Sequence, residues 1–173
     1  SSEESQKLLD NVLDKFCQLD ILICNAGIAQ QKLFGDLTDD DWQRMFAVNV
    51  DGVFHAVRAA LPHFIHRKAG RIVTVSSMWG QVGGACEVAY SAAKSGIYNL
   101  TRYLATYWGK QGIRVNTLTP AGVWRDTQDE IFQANFCARM PMGRMSQENE
   151  YNGALIFLAS QASSFMTGSN LVI

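Results

Sequence analysis

Apolar positions recur along this chain with two periods, and the period switches several times. After a Ser1-x-x-Glu4 pair with capping-box spacing, Leu8, Val12 and Phe16 repeat every four residues, which predicts a helix with those three on its buried face. "LDILIC" at 19–24 is strand-sized and runs into a turn at Asn25, Ala26 and Gly27. An apolar run of this kind suggests a parallel sheet covered on both faces. Residues 28–38 read as loop. Thr38, followed by Asp39, Asp40 and Asp41, has the form of a helix start: a capping hydroxyl, then carboxylates near the positive end of the dipole. The helical pattern continues from 40 to 67 through Trp42, Phe46, Val50, Val53 and Val57. Gly52 inside it costs about 1 kcal/mol against Ala, which suggests a close-packing role.

"GRIVTVSS" supplies the next strand, 71–76, followed by a Gly-rich loop at 80–85 and a helix at 88–111. "IRVNTLTP" supplies a third strand, 113–118; residues 120–147 read as irregular or as short helices. "QENEYNGALIFLAS" predicts a helix and "SNLVI" a last strand. The alternation of helix and strand predicts an α/β fold with a parallel sheet and right-handed crossovers, one domain over residues 1–173.

Composition narrows the function. Formal net charge is −1 from 15 basic and 16 acidic residues, with no basic stripe, so nucleic acid is not an expected partner. The apolar runs are far shorter than the roughly 20 residues of a membrane span, so no membrane partner is expected either. "SSEESQKLLD" has neither the basic nor the apolar region of a secretory signal. Cys17, Cys24, Cys86 and Cys137 show no C-x-x-C spacing; no metal site is expected, and the thiols read as reduced and mostly buried in a cytoplasmic protein. His63 and His66 read as solvated or packed side chains.

The chemistry concentrates in "AYSAAKSGI", where Tyr90 and Lys94 are four apart and therefore share a helix face. A cation within about 4–6 Å favours phenolate and lowers the phenol pKa, making Tyr90 a usable general acid or base. Ser77 lies at the carboxyl end of the preceding strand, where ligand sites of open α/β sheets form. A hydroxyl, a phenol and an ammonium can thus converge on one small polar group. Tyr-x-x-x-Lys alone also fits a surface pair. Its setting is more specific: Asn25-Ala26-Gly27 ends one strand, Asn49 precedes Tyr90 by 41 residues, Ser77 ends the next strand, and Pro120 ends the third.

This series resembles the short-chain dehydrogenase/reductase family over essentially the whole chain. The resemblance implies a Rossmann-like doubly wound parallel sheet and an oxidoreductase that interconverts a carbonyl and a secondary alcohol with NAD or NADP. It implies that Tyr90 is the acid/base, that Lys94 lowers its pKa and bonds the nicotinamide ribose, and that Ser77, rather than Ser76, holds the substrate oxygen. It assigns Asn49 to a water linking Lys94 to solvent. Asn25, Ala26 and Gly27 are placed against the adenosine ribose, and Pro120 and Val123 beside the nicotinamide.

Three departures stand out. Ala121 replaces the glycine the family carries after Pro120, which would strain a positive-φ position. Arg125 stands where a carboxamide-binding Thr is usual, with Thr127 nearby as a substitute. None of the 14 glycines forms Gly-x-Gly, the phosphate-binding turn. The resemblance begins at the family's third helix, so the first strands and the phosphate-binding part lie outside these residues, and the chain is either a fragment or a natural truncation. The alternative function is therefore a catalytically inactive remnant acting as a structural or assembly module. Residues 123–145 match the family's lid over the substrate. Arg125, Arg139 and Arg144 are candidates for meeting an anionic group or are surface charge. Trp79, Trp124 and Phe132 are candidates for an apolar or sugar-binding wall or for core. Phe54, Ile65, Tyr98, Tyr103, Tyr107 and Trp108 exceed what one sheet face can bury, and the family pairs these helices, so a homodimer or homotetramer is expected.

Overall fold

The computed structural model describes residues 1–84 and 86–173; position 85, the end of the expected Gly-rich loop, lies outside the described residues. Four parallel strands form one sheet in the order β1 (Ile21–Cys24), β2 (Gly70–Val75), β3 (Ile113–Thr119) and β4 (Asn170–Val172). Register is continuous, with Ile21 opposite Arg71, Val73 opposite Asn116 and Leu118 opposite Leu171.

Helices cover both faces. On one side lie α1 (Ser2–Phe16), α3 (Gly52–Arg67) and α4 (Val88–Trp108); on the other lies α6 (Asn152–Ala159). The strand alternation explains the two cores. Ile72 and Val115 point into a cluster with Val57, Phe64, Ile97 and Leu104, whereas Val73 and Leu118 point the other way against Tyr151 and Leu158. Apolar residues on both faces of β2 and β3 follow from this double cover.

β1 departs from that expectation. Only Cys24 is buried, and Ile23 is 42% exposed, because α6 packs on β2 and β3 and stops short of β1. Residues 19 and 20 precede the strand, held from outside the sheet. The Leu19 N–H donates to His63 Nε2 at 3.1 Å, and Arg67 donates to the Leu19 carbonyl and to Asp20. His63 is thus a packed, bonded histidine.

Ser1 and Glu4 form the expected capping box, but the buried face of α1 is shifted by one position. Leu9 is buried and Val12 and Leu13 half-buried, while Leu8 and Phe16 are exposed. α1 rests mainly on α3, and one principal neighbour covers a narrower stripe than the sequence period suggests.

The helix expected over 40–67 is interrupted. α2 (Asp39–Phe46), capped by a Thr38–Asp41 box, passes through a π-turn at Ala47–Asp51 before α3 begins. No close approach demands Gly52: a Cβ there would meet only the Ala47 carbonyl oxygen, at 3.8 Å. Gly112, before β3, is a true glycine position, with φ +78° and the Lys68 carbonyl oxygen 2.1 Å from where a Cβ would sit. Between 120 and 147 the chain forms α5 (Glu130–Cys137) within otherwise irregular structure. All four cysteines are free, but only Cys24 is buried and Cys17 is exposed, which corrects the expectation of mostly buried thiols.

Candidate active site

The carboxyl ends of β1, β2 and β3 open into a cleft of about 780 Å³. Asn25, Ala26 and Gly27 enter it from β1, Ser77 from β2, Tyr90 and Lys94 from α4, and Pro120 and Val123 from β3. Asn49 lies beneath it rather than lining it.

Lys94 reaches the cleft from the buried side of α4 and is itself 5% exposed. Its ammonium donates to the Val75 carbonyl, at the end of β2, at 2.9 Å. Burial pushes its pKa down to about 8. Its Nζ lies 5.7 Å from the centre of the Tyr90 ring. Gly27 makes this convergence possible: a Cβ there would stand 2.7 Å from Asn49 Oδ1 and 3.3 Å from Lys94 Nζ. Asn49, fully buried in the π-turn, donates to the carbonyls of Ile28 and Met45 and accepts from the Ile28 N–H. The π-turn thereby ties the loop after β1 to the floor of the cleft. Single π-turns inside α-helices are often found at functional sites.

The adjacent serines differ in employment. Ser76 donates to the Lys94 carbonyl at 2.8 Å, fastening α4 to the end of β2. The Ser77 hydroxyl accepts a 3.3 Å contact from the Trp79 N–H, and its backbone carbonyl is held by Tyr98 Oη at 2.9 Å. Tyr98 is a positioning residue that sequence reasoning assigned to surplus apolar surface. Its signal was present, since Tyr98 follows Lys94 by four and so shares its helix face.

The Tyr90 phenol is raised rather than lowered. Burial pushes it up, the Ser77 hydroxyl pulls it back, the Glu87 carboxyl pushes it up and the Arg125 guanidinium pulls it down. The net direction is upward, because burial outweighs the influences that lower it.

The departures also resolve. Ala121 has no positive φ, so it carries no strain, and its N–H bonds the Ile173 carbonyl at 2.8 Å. Both Arg125 and Thr127 line the cleft. Arg144 instead forms a two-pronged ion pair with Glu150, at 2.6 and 2.7 Å, and holds the Glu150 carboxyl down to about 2. Trp79 and Phe132 line the cleft; Trp124 does not, and its indole N–H bonds Asp126.

An open parallel sheet covered by helices on both faces, with its cleft at the carboxyl ends of the strands, defines the doubly wound α/β class. The sequence family described as "Enoyl-(Acyl carrier protein) reductase" matches residues 1–173. Cis-4-hydroxycyclohexanecarboxylate dehydrogenase of Sinomonas cyclohexanicum is 38% identical over 175 residues, covering 96% of this chain and 68% of its own length. The fold matches a gluconate 5-dehydrogenase of Burkholderia cenocepacia, solved with NADP and tartrate, at TM-score 0.96 and 31% identity, over 100% of this chain and 70% of the other. An NAD+-bound xylitol dehydrogenase matches at TM-score 0.96 and 30% identity, over 100% of this chain and 74% of the other. This chain belongs to the short-chain dehydrogenase/reductase family. It spans roughly two thirds of the length of the curated relatives it matches, as the 68% and 66% of the first two show.

Proposed function

We propose that this chain carries the catalytic part of an oxidoreductase that interconverts a carbonyl and a secondary alcohol with NAD or NADP. The observation that carries this reading is the convergence of Ser77, Tyr90 and Lys94 on one cleft at the carboxyl ends of the sheet. The relatives' names support it, since they describe dehydrogenases bound to NADP or NAD+.

The site fits the nicotinamide end of such a cofactor. Gly27 leaves open the space a Cβ would fill between Asn49 and Lys94, and the cleft of about 780 Å³ accommodates a nucleoside and a small substrate together. Asn25, Ala26 and Gly27 would hold the ribose on the adenosine side, Lys94 the nicotinamide ribose, and Pro120, Val123 and Thr127 the nicotinamide ring and its carboxamide. The chemistry a bound cofactor would supply is hydride transfer to or from the substrate carbon.

Ser77 holds the substrate oxygen. In reduction, Tyr90 gives its phenolic proton to the carbonyl oxygen as the carbon gains hydride; in oxidation, the phenolate takes the proton back from the alcohol. A phenol raised by burial stays protonated until it donates, which suits it to the acid role. Lys94 favours the phenolate that donation leaves behind. Asn49 positions the loop at Ile28 and offers Oδ1 toward a water between itself and Lys94. Phe54, Tyr103 and Tyr107 form the interface of a homo-oligomer.

The direct test is transfer of label. A secondary alcohol carrying deuterium on its carbinol carbon, incubated with the protein and millimolar NAD+ or NADP+, yields deuterated reduced nicotinamide by mass spectrometry. Ketone formation without label transfer, or no reaction across a panel of polyols and cyclic alcohols, contradicts the proposal and favours a structural remnant.

A further inference from the structure

Glu87 is a cleft residue whose chemistry the preceding reading does not use. It is 7% exposed, yet it lines the cleft, and its Oε2 is buried with no hydrogen-bond partner among the described residues. Glu87 is also the N-cap of α4, a position favouring Ser, Thr, Asp or Asn, and its side chain makes no capping hydrogen bond. The carboxyl is therefore turned away from the helix end it could have served. A buried acceptor without a partner is costly, so such groups call for a reason. Burial pushes its pKa up, and the Gln31 side chain works the other way.

Resting on the oxidoreductase reading, we infer that Glu87 is a specificity-determining residue that accepts a hydrogen bond from a second hydroxyl of the substrate, so that the cleft selects polyhydroxylated substrates over simple alcohols. Glu87, immediately before α4, and Tyr90, in its first turn, both line the cleft. Their shared cleft suits a substrate whose second hydroxyl stands near the reacting carbon. While Tyr90 and Ser77 hold the reacting oxygen, the neighbouring hydroxyl donates to Oε2 and fills its open site. The Glu87 carboxyl is among the groups that push the Tyr90 phenol up, which fits this shared placement. An alcohol without the second hydroxyl buries the carboxyl with its acceptor still unmatched, and the binding preference arises from that difference.

Binding of cyclohexane-1,2-diol and of cyclohexanol to the 173-residue chain, followed by ligand-observed NMR titration, tests this without requiring turnover. The native chain binds the diol about tenfold or more tightly than cyclohexanol, the difference expected of a hydrogen bond to a charged acceptor. Glu87→Ala brings the two within about twofold by weakening the diol alone, and Glu87→Gln, which keeps an acceptor oxygen of the same shape, falls between. Equal binding of both probes by the native chain, a preference that survives Glu87→Ala, or no saturable diol binding overturns the inference. Tyr90→Phe keeps the diol preference, so loss of the preference and loss of hydride transfer are separate failures.

Discussion

Lys94 gives the site its clearest pH signature at the residue scale. Its folded pKa of about 8 lies below the ordinary 10.5, so between those values the unfolded chain holds more protons than the folded one. Stability therefore rises with pH across that window, by up to about 3 kcal/mol, and the cost of burying the charge is fully present below it. Lys94→Met should flatten this rise, seen as urea midpoints of native and variant that diverge at neutral pH and converge at the alkaline end. Parallel curves for the two would show that the buried ammonium is not the source. The pairing of Tyr90 with Lys94 and the placing of Ser77 were legible because helix and strand periods fix which side chains share a face. The direction of the Tyr90 shift was not, because it depends on how much water the fold excludes. Glu87 was overlooked for a similar reason: a lone glutamate before a helix reads as a solvated end charge until its burial is known.

Among the elements, β2, β3 and α4 are joined by a device that no sequence period announces. The hydroxyls of Thr74, Thr101 and Thr117 bond one another at 2.8, 2.9 and 2.9 Å, all fully or nearly fully buried. Thr101→Val should lower stability by about 1–2 kcal/mol in urea unfolding, because it leaves the other two hydroxyls short of partners. Replacing all three by Val should lose less than the sum of the single losses, since removing every member leaves no buried polar group unmatched. An additive triple loss would refute the network. Strand positions and helix caps were readable from sequence, because alternation and capping pairs are local. The π-turn around Asn49 was not, because nothing local marks where a helix inserts a residue. The α1 face was misjudged because Leu8 and Leu9 are equally apolar, and only the position of α3 decides which is buried.

For the whole molecule, the two long helices leave Phe54, Tyr103 and Tyr107 exposed at 45%, 60% and 60%, while Ile65 and Trp108 pack on the core. Tyr103 and Tyr107 stack on each other at 5.7 Å, a preformed aromatic patch suited to a symmetric contact. Light scattering at micromolar concentration should therefore give at least a dimer mass, and Tyr103→Glu with Tyr107→Glu should shift it to monomer; a monomeric native chain would contradict the assembly. The parallel sheet and the location of the cleft at its carboxyl ends followed from the sequence, since strand–helix alternation restricts topology. Which aromatics were surplus did not, since Tyr98 proved to be holding the Ser77 carbonyl. The central claim is that Tyr90 is the group that moves the proton, and the rate of nicotinamide-linked turnover in Tyr90→Phe tests it most directly. Deleting that single oxygen while keeping the ring should lower the rate by about 10²–10⁴ with the fold unchanged by circular dichroism, whereas a loss no larger than about twofold would contradict it.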